Sequence, residues 1–205
     1  MKLRLPKVYP ITNAGRAGIS ILEQVRILTE AGARLIQLRA KDLDDRRLFE
    51  TAAAAAELTR TAGCRLIVND RVDIARLAGA DGVHLGQGDL SPAAARDLLG
   101  PDAMIGFSTH SLEQVHKASV LPVDYIAFGP IFETTTKSDT DPVVGLSLLA
   151  EAKQLVGERP LVAIGGIDPA SVDGVLSAGA DSAAMISGIW TETREIEPKI
   201  REYFF

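Results

Sequence analysis

Polar and charged side chains of this sequence gather where short apolar runs end. The run at 35–40 carries Gln37 and Arg39, and Lys41 follows it, so in a strand these three side chains share one face. Two cations and an amide on one face of an apolar strand are costly unless an anion meets them. The pattern therefore favours a site for an anionic small molecule over a surface cluster paired with the aspartates that follow.

Two aspartates follow the next two apolar runs. Asp70 comes directly after Asn69 at the end of one run, and Asp89 lies in the glycine-flanked turn GQGDL after the other. A single aspartate in such a place is typically a helix cap. On neighbouring strands, however, Asp70 and Asp89 could supply the one or two carboxylates that Mg²⁺ takes from a protein when phosphates and water complete its shell. With Arg39 and Lys41, they predict a diphosphate site that contains magnesium.

The fifth apolar run ends in FSTH, which places Ser108 and His110 on one face. The serine could donate a hydrogen bond to a phosphate oxygen, and the histidine could act as an acid or a base or serve only as a hydrogen-bonding side chain. No Ser-His-Asp spacing is present, so nucleophilic hydrolysis is not favoured. His84 alternates with apolar neighbours and is predicted to be structural.

A second group of anion-binding residues follows the last three runs. The stretch FETTTKSDT contains Thr134, Thr135, Thr136 and Lys137, whose hydroxyl groups and point charge could surround an anion. A polar, mobile loop is the alternative interpretation. Gly165 and Gly166 of IGGID and Ser187 of MISGI belong to the same group, because the loops after strands seven and eight commonly bind phosphate in TIM barrels. Two anion sites in one mouth would suit an enzyme that joins a diphosphate compound to a monophosphate compound.

Short apolar runs predict eight strands, at 8–12, 35–40, 65–70, 81–86, 104–110, 124–129, 161–166 and 182–187. Helical patterns separate them, and Ala-Gly-Ala segments put Gly32, Gly79 and Gly179 where helices should end in a left-handed residue. We therefore predict one domain over residues 1–205, a (β/α)8 TIM barrel. An open doubly wound sheet is the alternative, but no G-x-G-x-x-G turn follows the first strand.

Two helix starts are predicted from caps. Ser91 precedes Pro92, and Asp168 precedes Pro169 in the same layout, so both pairs predict an N-cap followed by the first helical residue.

Composition limits the classes of partner and location. The formal net charge is −5 and no long basic run is present, so we expect no nucleic-acid and no membrane partner. No apolar stretch reaches the ~18 residues of a membrane span. The single cysteine, Cys64, excludes an internal disulfide and is predicted to be a small buried side chain. We expect a cytoplasmic protein that acts on small-molecule substrates, and the sequence leaves a homo-oligomer open.

The residues above occur in segments that resemble thiamine-phosphate synthases almost from end to end. The resembling segments are YPIT, QLRAKD, VNDRVDIA, GADGVHLGQGDL, IGFSTHS, DYIAFGPIFETTTK, GL at 145–146, VAIGGI and GADSAAMISGI. The resemblance implies a TIM barrel that couples 4-amino-5-hydroxymethyl-2-methylpyrimidine diphosphate to a thiazole phosphate or its carboxylated precursor, with release of pyrophosphate. It also implies a dissociative, Mg²⁺-assisted reaction.

The resemblance also implies residue roles. For the pyrimidine diphosphate it implies Gln37, Arg39, Lys41, Asn69, Ser108 and Lys137. For the thiazole phosphate it implies Thr134, Thr135, Thr136, Gly166, Ile186 and Ser187. Asp70 and Asp89 would bind Mg²⁺, while Arg39, Lys41, Lys137 and Ser108 would act in catalysis. Asn13 departs from the acidic residue usual in the family, and we expect it to support the barrel rim.

Three other functions remain open at this point. Thiazole tautomerases form a sister family in which a histidine at the place of His110 transfers protons. Asp89 and Lys137 would have little to do in such an enzyme, which favours the synthase. A non-catalytic barrel that binds a thiazole phosphate would be expected to lose its metal residues, and a phosphosugar isomerase or lyase is compatible with the fold alone.

Overall fold

The structure is a computed structural model that describes residues 3–13, 18–134, 141–190 and 195–204. Within these residues, eight strands and eight α-helices alternate along the chain. The strands are β1 (Val8–Pro10), β2 (Leu35–Leu38), β3 (Arg65–Asn69), β4 (Gly82–Leu85), β5 (Met104–Thr109), β6 (Tyr125–Phe128), β7 (Leu161–Ile164) and β8 (Ser182–Met185). The helices are α1 (Ile21–Glu30), α2 (Asp45–Thr61), α3 (Val72–Ala78), α4 (Pro92–Leu99), α5 (Leu112–Ala118), α6 (Gly145–Val156), α7 (Val172–Ser177) and α8 (Pro198–Arg201).

All neighbouring strands are parallel, and their order closes into a barrel. Sequential strands pair from β2 to β8, and β8 pairs with β1. The last seam, between β1 and β2, is made by one bridge between Ile11 and Gln37. Beyond this bridge, the Thr12 side chain links the two segments: its Oγ1 accepts from Arg39 N at 3.0 Å and donates to Arg39 O at 3.3 Å. The predicted TIM barrel is confirmed, and the observed strands are shorter at their ends than the predicted runs.

Local sequence signals position the helices. Serine or aspartate side chains cap the starts of four helices by accepting a backbone N–H three residues on: Ser20, Asp44, Ser91 and Ser111. Gly79 ends α3 in the left-handed conformation with φ of 67°, as its Ala-Gly-Ala segment predicts. The prediction of a helix start at Asp168 and Pro169 is wrong. Asp168 accepts from the Ser171 amide in a separate turn, and α7 begins only at Val172.

Two apolar layers follow from the alternation of side chains along the strands. One faces the helices, and the other fills the barrel interior with residues from every strand except β4. The inner layer contains Tyr9, Ile11, Leu35, Ile67, Met104, Tyr125, Ala127, Val162 and Ala184. At the β4 position the inward residue is His84, which is buried and polar. The barrel interior is therefore packed, with a polar insertion directly below its carboxyl-end rim.

Cys64 is buried immediately before β3, as predicted, and burial raises the pKa of its thiol to about 12. Among the helices of the described ranges, none is both long enough and apolar enough to cross a bilayer.

Candidate active site

A pocket opens at the carboxyl ends of the strands. Residues from all eight strands or from the positions just after them line it, and it encloses about 880 Å³, part of which is open to solvent. The lining consists of Ile11, Gln37, Arg39, Asn69, His84, Ser108, His110, Gly129, Pro130, Thr134, Asp141, Ile164, Gly165, Gly166, Ile167, Ala184, Met185, Ile186 and Ser187. In this fold the active site lies at the same end of the barrel, which makes this pocket the candidate site.

Most of the residues singled out from the sequence meet in this pocket. Eight of the residues to which the resemblance assigns a role belong to its lining: Gln37, Arg39, Asn69, Ser108, Thr134, Gly166, Ile186 and Ser187. Lys41, Asp70 and Asp89 are outside the lining, but Asp70 directly follows Asn69 and interacts with Lys41, Arg39 and Asp89. Gln37 is in β2, whereas Arg39 and Lys41 come after its end. Gln37 and Arg39 both line the pocket, as a shared face requires, and Lys41 does not. Thr135, Thr136 and Lys137 lie outside the described residues.

Asp70 and Asp89 form a carboxylate pair at the rim. Asp70 has φ of 64°, the one positive value at a non-glycine residue in the described ranges, and its amide donates to His84 O at 2.8 Å. Asp89 Oδ2 accepts from the Gly86 amide at 2.7 Å. Burial first, and then the neighbouring Asp89 carboxylate, raise the pKa of Asp70, while Lys41 and Arg39 oppose that rise. Two like charges held together in this way are stabilised by a cation.

The donor set at the rim fits magnesium. Mg²⁺ takes one or two carboxylates from a protein and completes an octahedral shell with phosphate oxygens and water. Asp70 and Asp89 supply such a pair, and no group of three or more metal-binding side chains occurs within the described ranges. Lys41 Nζ lies 3.8 Å from Asp70 Oδ2, so one cationic side chain already borders the pair. The residues present therefore suit a metal that is shared with an anionic ligand.

Arg39 is held at the rim by residues that follow β1. Thr12 fixes its backbone from both sides, and Asn13 Oδ1 accepts from its Nη1 at 3.5 Å. Gln24 in turn holds Asn13, accepting from its amide and donating to its carbonyl. Asn13 thus supports the rim, as expected. Its contact is the one hydrogen bond of the guanidinium within the described residues, so most of the five N–H donors of Arg39 remain for an anion.

The loop after β6 lies against the glycines that end β7. The amides of Ile131 and Phe132 donate to Ile164 O and Gly165 O at 2.9 and 3.0 Å. Gly166 has φ of 66°, and a Cβ built there would lie 2.7 Å from Cβ of Phe132. Only glycine fits so close to the loop, and this contact brings Thr134 and Gly166 into one pocket lining.

The residues after β8 form a short helical turn. Ser187–Ile189 is a 3-10 helix of three residues. Ser187 and Ile186 line the pocket beside Gly166. The side of the mouth built from β7 and β8 thus carries backbone groups and a hydroxyl without a carboxylate.

His110 lines the same pocket from the end of β5. Its Nδ1 lies 2.7 Å from Gly129 O and 3.3 Å from Asp141 Oδ2. Because a carbonyl can only accept, Nδ1 donates to Gly129, and Nε2 is the nitrogen that can exchange a proton with a ligand.

A buried hydrogen-bonded set joins Gln37 to Ser108 across the barrel, and the sequence did not predict it. We call it the tyrosine relay: Gln37, Tyr9, Tyr125, His84 and Ser108. His84 Nδ1 lies 3.0 Å from Tyr125 Oη, and His84 Nε2 lies 2.8 Å from Ser108 Oγ. His84 is therefore a buried structural residue, as predicted, that also contacts a residue of the pocket lining. The one signal available in the sequence is a tyrosine in each of two strands that are otherwise apolar.

Eight parallel strands with interleaved helices and a polar mouth at their carboxyl ends define the chain as a TIM-barrel protein with the site geometry typical of enzymes of that fold. The chain belongs to the thiamine monophosphate synthase family, whose model matches residues 8–189. It is accordingly an enzyme, a transferase of thiamine biosynthesis, and the resemblance read from its motifs is confirmed.

Individual relatives carry matching names. A thiamine-phosphate synthase of Methanoculleus marisnigri is 46% identical over 184 residues, which cover 89% of this chain and 86% of that relative. One from Synechococcus sp. strain CC9605 is 44% identical over 82% of this chain, and the match spans 47% of that longer relative. The solved structure of a thiamine phosphate pyrophosphorylase from Pyrococcus furiosus has a TM-score of 0.81 at 34% identity, with 97% of this chain and 91% of that one covered.

Proposed function

We propose that this enzyme condenses 4-amino-5-hydroxymethyl-2-methylpyrimidine diphosphate with a thiazole phosphate, giving thiamine phosphate and pyrophosphate. The observation that carries the proposal is the Asp70–Asp89 pair beside Arg39 and Lys41, in the same mouth as a second side at Gly166 and Ser187, where β7 and β8 contribute no carboxylate. A metal-bound diphosphate and a second phosphate need two unlike sides of this kind. We further propose that residues 1–205 form a single TIM-barrel domain located in the cytoplasm.

The diphosphate side would use the rim around β2 to β5. Asp70 and Asp89 would hold Mg²⁺, and Arg39 and Lys41 would bind oxygens of the diphosphate. Ser108 would donate its hydroxyl hydrogen to the same group, with Lys137 as a further charge. Gln37 and Asn69, which line the pocket below this rim, would contact the pyrimidine ring.

The thiazole side would use the loops after β6, β7 and β8. Gly166 lets the loop after β6 pack against the end of β7, since its Cα carries no side chain toward that loop, and we propose that its backbone there contacts the phosphate. Ser187 and Ile186 line the pocket next to it, and Thr134 lines it from the β6 loop. Thr135 and Thr136 complete this proposed set.

The proposed reaction is dissociative. Arg39, Lys41, Ser108 and Lys137 take up negative charge as the C–O bond to pyrophosphate breaks, and the aminopyrimidine stabilises the carbocation that remains. Mg²⁺, when bound, supplies further charge neutralisation to the leaving group. The thiazole nitrogen, held in place by its phosphate on the other side of the mouth, then forms the new C–N bond. No side chain needs to act as a nucleophile.

The first experiment is a coupling assay with purified protein, both substrates and Mg²⁺. Release of pyrophosphate together with thiamine phosphate, abolished by a chelator, is the expected result. Asp89→Ala should lose the Mg²⁺-dependent coupling while thiazole phosphate binding, measured by calorimetry, changes less than about twofold. Asp97→Ala removes an exposed aspartate on α4 and serves as the matched control. Equal loss of coupling and of thiazole phosphate binding in Asp89→Ala would show that the two sides are wrongly assigned.

A tautomerase is the second candidate because His110 lines the pocket with Nδ1 anchored on Gly129 O. It would isomerise a carboxythiazole phosphate without needing the carboxylate pair. The same preparation therefore tests it. Isomerisation that His110→Asn abolishes, with no pyrophosphate release in the unaltered protein, would replace the synthase proposal.

A further inference from the structure

The tyrosine relay runs through the buried interior below the two proposed substrate sides. Gln37 Nε2 donates to Tyr9 Oη at 3.3 Å, and Tyr9 Oη lies 3.1 Å from Tyr125 Oη. Tyr125 Oη lies 3.0 Å from His84 Nδ1, and His84 Nε2 lies 2.8 Å from Ser108 Oγ. Both ends line the pocket, so the relay joins two ligand-facing residues from opposite parts of the barrel.

The number of hydrogens available fixes the direction of the relay. Because the Gln37 amide nitrogen can only donate, Tyr9 Oη accepts there, and its own hydrogen has Tyr125 Oη as its acceptor. Tyr125 must then donate to His84 Nδ1, or a buried phenol hydrogen would be left without an acceptor. That assignment leaves the imidazole neutral, with its hydrogen on Nε2 and directed to Ser108 Oγ. Ser108 accepts from His84, and its hydroxyl hydrogen is available to the pocket.

The surroundings hold this arrangement in place. Tyr9 and Tyr125 are buried, and burial raises the pKa of both phenols, so each keeps its hydrogen at ordinary pH. The rings of His84 and Tyr125 stack with centroids 5.6 Å apart, while Tyr9 meets Tyr125 edge to face at 6.0 Å. Gln87 donates to Ser108 O at 2.6 Å and holds the far end.

We propose that the tyrosine relay sets the polarity of the site: it makes Ser108 a hydrogen-bond donor to an anionic oxygen and keeps the Gln37 carbonyl oxygen as the acceptor for the substrate amine. Tyr9, Tyr125 and His84 are then positioning residues that act through Ser108 and Gln37. The assignment of the two ends to a diphosphate and an aminopyrimidine rests on the proposed function. The direction of the relay does not.

The direction is tested by the tautomer of His84. In protein labelled with ¹⁵N-histidine, the ring nitrogens of the three histidines can be assigned with His110→Asn and His116→Asn variants. The expected spectrum has His84 neutral, with the hydrogen on Nε2 and Nδ1 as an acceptor. A hydrogen on Nδ1, or a doubly protonated ring, would reverse or break the relay and overturn the proposal. This measurement needs neither substrate nor activity.

The functional part is tested by a double-mutant cycle. Tyr125→Phe keeps the ring but removes the donor to His84, and we expect kcat/KM for the pyrimidine diphosphate to fall about tenfold, the loss of about one oriented hydrogen bond. In a Ser108→Ala background the same substitution should change kcat/KM less than about twofold, because its effect is transmitted through that serine. Additive losses would assign Tyr125 a purely structural role and overturn the proposal.

Two further variants complete the design. Tyr9→Phe breaks the link to Gln37 but leaves the segment from Tyr125 to Ser108, so the Nε2 tautomer should persist and kcat/KM should fall only about threefold. Thr59→Val, the matched control, removes a buried hydroxyl in α2, and its activity should equal that of the unaltered enzyme. If the unaltered protein releases no pyrophosphate, the proposed function fails, whereas the tautomer still decides the direction of the relay.

Discussion

Replacing Gly106 by alanine should displace the tyrosine relay. A Cβ built on Gly106 would lie 2.5 Å from Nδ1 of His84 and closer still to the ring and hydroxyl of Tyr125. Ordinary contacts between such atoms are about 3.5–4.0 Å, so at least one side chain must move by about 1 Å. The interior is close-packed, and overpacking of this kind costs about 1–3 kcal/mol.

The lost hydrogen bonds add to that cost. Moving Tyr125 weakens its contacts with Tyr9 and His84, each worth about 1 kcal/mol. The free energy of unfolding should therefore fall by about 3 kcal/mol, which for a domain of this size lowers the melting temperature by about 10 °C. Pyrophosphate release should fall as well, because the donor to His84 is displaced.

The assay compares melting temperature and initial rate in Gly106→Ala and a matched variant. Gly174→Ala lies on α7, where a Cβ would meet nothing within 4 Å, and it should stabilise the helix by about 0.5–1 kcal/mol. If Gly106→Ala melted and reacted like Gly174→Ala, the close approach at Gly106 and the importance of the relay geometry would both be refuted.

Three further outcomes are expected. Ser182→Ala removes a buried hydroxyl that has no hydrogen-bond partner within the described residues, so the melting temperature should hold or rise; a fall of more than about 3 °C would contradict this. Cys64, whose thiol has its pKa raised to about 12 by burial, should resist iodoacetamide at pH 8 in the native protein and react after unfolding in urea; equal rates would show that the thiol is accessible. Gly166→Ala should raise KM for the thiazole phosphate about tenfold or more, because its φ of 66° and the nearby Phe132 exclude a side chain; an unchanged KM would remove Gly166 from the site.

The barrel was predictable because its signals are local. Each apolar run marks a strand, and caps such as Ser91 or terminal glycines such as Gly79 mark helix boundaries with their own hydrogen bonds. The start of α7 was predicted wrongly because an Asp-Pro pair can either cap a helix or begin a separate turn. Here Asp168 accepts a hydrogen bond from the Ser171 amide and forms the turn. The end of β2 was predicted too far along the chain, because at Arg39 the Thr12 side chain takes the place of a backbone partner in the strand hydrogen bonds.

The candidate site was predictable only where the residue type itself indicates a binding function. Charged residues next to apolar runs, such as Arg39 and Asp70, can be recognised from the sequence alone. Tyr9 and Tyr125 do not, because a tyrosine in a strand usually contributes its ring to the core. Their shared role depends on hydroxyl groups that are 116 residues apart in the chain and meet only after the barrel has closed.

Barrel closure also has a consequence for protein synthesis. The pairing of β1 with β8 joins Val8 to Ala183, and 183 − 8 is 175 residues of chain. At about 5–20 residues per second, the ribosome needs roughly 9–35 s to deliver the partner of the first strand. During that interval the contacts that the β1 segment can make with β2 are the Ile11–Gln37 bridge and the hydrogen bonds of Thr12. The edge of β1 that later pairs with β8 therefore stays unpaired for most of translation. An unpaired apolar edge is prone to aggregation, so this edge is where we expect a chaperone to bind the nascent chain.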